Sequence, residues 1–359
     1  MNNMANNDKN FLIKSSIERN DVTFYSSLSD CFSLHGLIYE NGHFRRMPES
    51  IASEVSSGVY YSHTLTTGGR LRFLTNSSFV AIRVTYGSIE RSSHVSLNGM
   101  AGFDLYENQN GVKKHLGSFI PPLDTETHFE SIITLANIGE HELTINFPTY
   151  SEVKELHIGL SEDAYVKPAP SYTYDKPIVF YGSSITHGAC SSRPGNTYPE
   201  MISRILDTDY INLGFGGNAL GEKVMADYIA SLSMSVFVMD YDYNAPDEKH
   251  LMETHSRMYR IVRETNPTLP IIMMSKPKPH LNEVDSKRLD IIKSTYNAAL
   301  EHGDENIYFV PGYELIPDTI IDSAKVDTVH PNDLGYYSMA KRVMKELDRI
   351  YIKNRPPKS

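Results

Sequence analysis

The stretch Pro177-Ile-Val-Phe-Tyr-Gly-Ser-Ser-Ile-Thr-His-Gly188 decides how the whole chain is read. Ile178 to Tyr181 is an apolar, β-branched and aromatic run, the composition of a strand buried on both faces, and it stops abruptly at Gly182 before small hydroxyl residues. That pattern predicts a strand entering a sharp turn. A serine at such a turn, at the carboxyl end of a parallel strand, stands where α/β folds hold their ligands, with the N–H groups of the following helix aimed at the same spot. Ser184 is therefore a candidate nucleophile. Local chemistry leaves a second reading open, in which these hydroxyl residues simply cap a helix.

Downstream of this turn, strands and helices alternate. Helices are predicted from Tyr198 to about Asp207, near Glu222–Leu232, after Pro246, from about Val284 to His302 and after Pro331. Strands are predicted at Tyr210–Leu213, Ser235–Asp240, Ile271–Met274 and Asn306–Val310. Such alternation implies right-handed βαβ units and a parallel sheet of about five strands, a flavodoxin-like three-layer α/β/α domain over 177–359. Met273, Met274 and the strand aromatics read as its core.

Upstream, the period is two. Arg70–Thr75, Phe79–Tyr86, His128–Leu135 and Glu142–Phe147 alternate or run β-branched between turn clusters such as Thr67-Gly-Gly69, with hardly a helical window. Residues 21–166 are expected to form an antiparallel, jelly-roll-like β-sandwich, with Arg70, Arg72 and Arg83 on its solvated face. Residues 1–20 read as a tail, and 167–176, containing Lys167-Pro-Ala-Pro170, as a stiff connector.

The chain's 359 residues suit two cores, and 40% hydrophobic with 22% charged residues is ordinary for globular proteins. A net charge of −10 argues against nucleic-acid or anionic-membrane partners. The N-terminus has no apolar segment behind a basic start, and no later stretch is apolar enough to span a bilayer. The two cysteines, Cys31 and Cys190, lie far apart, which fits free thiols, and a cytoplasmic location is expected. The histidines show no metal-ligand spacing, and no phosphate loop or dinucleotide fingerprint is present, so no metal and no cofactor are expected.

A nucleophilic Ser184 needs a base, and Asp327-Thr-Val-His330 lies in the loop after the fifth strand. An Asp three residues before a His can fold back so that its carboxylate takes one ring nitrogen while the other faces the serine. Gly214-Phe-Gly-Gly-Asn218 offers backbone N–H groups after the second strand, and Asn244 a side-chain amide after the third. Singly, each motif is also ordinary turn, cap or loop material. Their order at successive strand ends is what carries weight.

These blocks resemble those of the SGNH or GDSL-type hydrolases. Gly182-Ser183-Ser184 is similar to the family's Gly-Asp-Ser block, Phe215-Gly-Gly217-Asn218 to its glycine block, Tyr243-Asn244 to its Asn block, and Asp327-x-x-His330 to its last. Gly102-Phe-Asp-Leu-Tyr106, with the run Gly182–Gly195, resembles the branch whose sandwich carries a Gly-x-Asp-Leu-Tyr signature. The resemblance implies Ser184 as nucleophile, His330 as base, Asp327 as its orienter, and the N–H of Ser184, the N–H of Gly217 and the amide of Asn244 as oxyanion hole. The chain departs from the family pattern at Ser183, where Asp is usual, and lacks the Gly and final Asp usual around Asn244.

Arg193, His187 and Asn218 are further candidates for touching substrate, each with a bracing or packing role as its alternative. Cys190 sits beside the same turn and reads as packing rather than catalysis. The expected activity is an esterase acting on small O-acyl groups, O-acetyl carbohydrate above all by analogy with two-domain relatives. The expected partner is a small-molecule or oligosaccharide ester. An acyltransferase using the same acyl-enzyme and a catalytically silent carbohydrate-binding protein are the alternatives.

Overall fold

Two antiparallel sheets face each other across the amino-terminal half of the molecule. A computed structural model describes residues 13, 16–137 and 139–353; of the expected tail, residues 1–12, 14 and 15 lie outside the described residues. One sheet runs in the order Val22–Ser26, Ser151–Ser161, Phe79–Ile89, His128–Thr134. The other is six-stranded and is built around Arg70–Thr75, His141–Asn146, Phe103–Gln109 and Val112–Phe119. Alternation sends Leu71, Phe73, Phe103, Leu105, Leu143 and Ile145 inward from one sheet, against Ile82, Val84, Leu156 and Ile158 from the other.

Three features depart from expectation. Short helices occur at Glu49–Val55, Ser57–Ser62 and Leu97–Ala101. They have seven, six and five residues, too few for a helical period to emerge in sequence, although Ser56 and Ser96 cap the last two. The connector 167–176 is paired at both ends: Val166–Pro168 lies antiparallel to Arg70–Thr75, and the strand Tyr174–Gly182 already includes Lys176 and Pro177.

The third departure concerns the arginines. Arg83 is solvated and pairs with Glu130 at 2.9 Å, but Arg70 and Arg72 are 0% and 1% exposed. The outward face of their strand is covered by the second half of the chain. Arg70 Nη2 donates to Tyr210 O at 2.9 Å and pairs with Asp209, its guanidinium 3.8 Å from the Tyr210 ring centre. Arg72 lies over the Tyr172 ring and pairs with Glu142 at 3.0 Å.

The carboxyl-terminal half contains a five-stranded parallel sheet ordered Thr208–Gly214, Tyr174–Gly182, Val236–Asp240, Ile271–Met274, Ile307–Val310. This 2-1-3-4-5 order is the flavodoxin-like one, with a topological switch point beside the first strand. Ile178 and Phe180 pack on one face against Tyr198–Leu206 and Asp333–Lys353. Val179 and Tyr181 pack on the other against Lys223–Ser231, Glu248–Thr265 and Glu283–Glu301. Two buried faces explain why the strand reads as continuously apolar. Met273 and Met274 are buried, one in each layer. Among the described residues, no helix is long and apolar enough to cross a membrane.

Candidate active site

The turn after Tyr174–Gly182 separates the two readings of its serines. Ser183 is the cap: its hydroxyl accepts from Ile185 N–H at 3.2 Å. Ser184 begins the one-turn helix Ser184–His187, which leaves its own hydroxyl free of that duty. Gly182 is required by close approach, since a Cβ there would fall 2.1 Å from Thr186 Oγ1 and 2.5 Å from Asp240 O.

Ser184 Oγ lies 2.8 Å from His330 Nε2, and His330 Nδ1 lies 2.8 Å from Asp327 Oδ2. The other carboxylate oxygen of Asp327 accepts from Val329 N–H at 2.7 Å and His330 N–H at 2.6 Å, which closes the Asp-x-x-His turn. Partial burial raises the Asp327 carboxyl, but the hydrogen bonds from the His330 ring and from both backbone N–H groups outweigh it and bring it down to about 2. Asp327 therefore remains an acceptor across the working pH range and fixes which ring nitrogen of His330 carries the proton.

Gly217 and Asn244 meet one residue on from Gly216, where a Cβ would stand 3.3 Å from the Ser184 Cβ. Gly217 has φ +73°, a left-handed conformation that turns the loop after Thr208–Gly214. With its amide oxygen towards Gly217, Asn244 accepts from Gly217 N–H at 3.1 Å and donates to Phe215 O at 3.2 Å. The opposite amide orientation sets Nδ2 beside the Gly217 N–H, two donors with no acceptor between them. The Asn244 loop is held by Asp242, which is buried, takes Arg288 Nε at 2.8 Å and accepts from Lys276 N–H at 3.0 Å.

Three expected contact residues serve elsewhere. Arg193 turns away to the sandwich: its Nη1 donates to Asp104 Oδ2 at 2.9 Å and to the Tyr106 hydroxyl. Asp104 and Tyr106 belong to the Gly102–Tyr106 signature, and Asp104, fully buried, also accepts from Gly195 N–H at 2.8 Å. The same loop reaches the far side of the site, with Ser192 N–H at 2.9 Å and Asn196 Nδ2 at 2.8 Å from the Asp333 carboxylate. His187 is buried, donates Nε2–H to Thr149 O at 2.7 Å and stacks on Tyr150; burial pushes its imidazole well below 6.5. Asn218 donates to Gly216 O at 2.7 Å and packs so closely on Ser57–Ser62 that a Cβ on Gly58 would meet its Oδ1 at 1.8 Å. All three brace interfaces that no sequence spacing records.

The wall facing Ser184 leaves no mark in the sequence. A cavity of about 230 Å³ is lined by Ser184, Ala189, Cys190 and His330 and, from the sandwich half, by Glu90, Arg91, Ser92, His94, Val95, Met100 and Tyr150. Nothing in the sequence marks these sandwich residues apart from ordinary loop and strand residues. The fold also gathers ligand-type side chains that lie far apart in sequence: the donor atoms of His94, Cys190 and His330 lie within 4.8 Å of one another.

A parallel sheet with a hydrogen-bonded serine, histidine and aspartate over its carboxyl edge defines a class of acyl-transferring hydrolases. Residues 175–348 match the GDSL-like lipase/acylhydrolase family, and residues 22–166 match the N-terminus of Esterase SGNH-hydro-type, the GxDLY domain. The chain belongs to this family, in its branch with an amino-terminal sandwich, and is an ester hydrolase. Among solved structures it is similar to a protein from Bacteroides ovatus ATCC 8483 assigned as a GDSL-like lipase, with TM-score 0.82 and 26% identity over 92% of this chain and 98% of that one. A salicylyl-acyltransferase from a tetracycline biosynthetic pathway shares the fold with TM-score 0.77 and 18% identity, over 93% and 99% of the two chains. An acetyl xylan esterase from the rumen bacterium Butyrivibrio proteoclasticus shares it with TM-score 0.60 and 14% identity, over 93% and 100%. No curated protein sequence matches the chain significantly.

Proposed function

We propose that this protein is a serine esterase that removes small O-acyl groups, O-acetyl above all, from carbohydrate through an acyl-enzyme on Ser184. The observation that carries the reading is the pair of 2.8 Å contacts linking Ser184 Oγ, His330 and Asp327 at one end of the cavity. Ser184 Oγ attacks the ester carbonyl and its proton passes to His330 Nε2, while Asp327 holds Nδ1–H and balances the imidazolium. The oxyanion is met by the N–H groups of Ser184 and Gly217 and, once its amide has turned, by Asn244 Nδ2. As the tetrahedral intermediate collapses, the carbon–oxygen bond to the alcohol breaks and His330 returns the proton to the leaving oxygen. Water then repeats the sequence to release the acid and restore Ser184.

The size of the cavity favours a short acyl group, and its second wall, from the sandwich, gives a sugar alcohol something to rest against. The fold shared with the acetyl xylan esterase supports the carbohydrate assignment. The fold shared with the salicylyl-acyltransferase favours a second reading, in which an alcohol replaces water in the deacylation step. In both readings the two halves divide within the unpaired stretch 169–173, and the unpaired Cys31 and Cys190 support a reducing, cytoplasmic setting.

Ser184→Ala and His330→Ala are each expected to lower turnover of an acetyl ester by about a thousandfold or more with the fold intact. Near-wild-type turnover in either variant rejects the mechanism. Product analysis with acetylated xylan or an acetylated monosaccharide, with and without a competing alcohol, separates hydrolysis from transfer.

A further inference from the structure

The cavity over Ser184 brings to His330 two further donors, His94 and Cys190, for which ester chemistry has no use. His94 arrives from the sandwich loop that follows Phe79–Ile89, Cys190 from the loop after Ser184–His187, and His330 from the loop before Asp333–Lys353. Their donor atoms lie within 4.8 Å of one another. Both imidazoles are already held by their Nδ1 atoms: that of His330 by Asp327 at 2.8 Å, and that of His94 by Ser92 Oγ at 3.1 Å. Metal-ligating histidines are built in this way, one ring nitrogen fixed by an outer partner so that the other is presented to the ion. His94 Nε2 also stands 3.9 Å from Asp327 Oδ2, a carboxylate close enough to offset a cation's charge.

We propose that His94, Cys190 and His330 form a binding site for a divalent cation of the Zn²⁺ class, which takes His330 Nε2 away from Ser184 and thereby silences hydrolysis. Two imidazoles and a thiolate select a borderline or soft ion over Mg²⁺ or Ca²⁺. Three protein ligands leave a fourth tetrahedral position for water or for Ser184 Oγ. Bonds of about 2.0 Å to nitrogen and 2.3 Å to sulfur place tetrahedral donors roughly 3.3–3.5 Å apart, so the site closes by up to about an ångström or slightly more. His94, whose side chain is 52% exposed on a loop, supplies that movement, while Cys190 is buried and fixed with φ +65°. On binding, the Cys190 thiol releases its proton to solvent as the metal–sulfur bond forms. The inhibitory half of the proposal rests on the reading of His330 as the base; the binding half does not.

The test uses metal-free full-length protein, Co²⁺ as a spectroscopic probe and Zn²⁺ as inhibitor. One equivalent of Co²⁺ is expected to give a sulfur-to-cobalt charge-transfer band that Zn²⁺ displaces, and Zn²⁺ is expected to abolish acetyl-ester hydrolysis over the same range. Cys190→Ser should remove the band. His94→Ala, a change on an exposed loop, should weaken Co²⁺ binding and raise the half-inhibitory Zn²⁺ concentration by about tenfold or more, measured against that variant's own metal-free rate. Absence of the band at several equivalents, or an unchanged Co²⁺ affinity in His94→Ala, overturns the site. The band does not depend on turnover, so an inactive protein rejects the proposed esterase and leaves this test standing. A full band with undiminished hydrolysis rejects the inhibitory role.

Discussion

Arg70 and Arg83 lie on neighbouring strands in sequence, and each alternates with apolar residues facing the sandwich core, yet one is sealed from solvent and the other is half exposed. The difference is what lies over each sheet. The sheet carrying Arg83 faces water, whereas the sheet carrying Arg70 faces the strand Thr208–Gly214 of the hydrolase half, where Asp209 and the Tyr210 carbonyl complete its hydrogen bonding. Alternation reports which residues leave the core, and says nothing of what they meet outside it.

The strongest way to break this comparison is to unpair Arg70. Asp209→Ala leaves a buried guanidinium without its counter-charge and is expected to cost about 3–5 kcal/mol, read by denaturant unfolding. A loss below about 1 kcal/mol would mean that the interface relaxes and admits water to Arg70. Asn244→Ala probes the other region, where loops at the sheet edge meet. It is expected to lower kcat about a hundredfold with a much smaller change in KM, as befits a donor aimed at charge present only in the transition state. A lowered melting temperature with normal turnover per folded molecule would make Asn244 a turn residue instead.

Asp240 gives a pH-dependent effect beneath the same edge. Burial raises its carboxyl to about 7, against the pull of hydrogen bonds from Thr186 and Tyr198. Because the folded chain holds this proton more tightly than the unfolded one, the contribution is present at low pH. It is lost as pH rises from about 4 to about 7, at a slope on the order of 1.4 kcal/mol per pH unit. Asp240→Asn should flatten the stability profile in that window; an unchanged profile would indicate that the carboxyl is solvated or paired. Arg83→Ala is the smallest expected effect, within about 0.5–1 kcal/mol by the same unfolding measurement. A larger loss would erase the contrast with Arg70.

The sequence by itself determined what depends on neighbours along the chain. The apolar run Ile178–Tyr181, the alternation of later strands with helices, and the turn chemistry of Gly182–Ser184 and Asp327–His330 are local patterns. Backbone geometry and burial on both faces of a strand write such patterns directly into residue types. That Ser184 would meet His330, and Gly217 meet Asn244, was legible only as an order of motifs at successive strand ends, because a parallel sheet lines those ends up along one edge. Only the tertiary structure decided what crosses between the halves. Arg193 closes on the Asp104 and Tyr106 of the signature, His187 disappears under Tyr150, and His94 leans over His330. Such contacts are set by how two independently patterned surfaces dock, and each surface residue taken alone has the composition of an ordinary solvated loop or face.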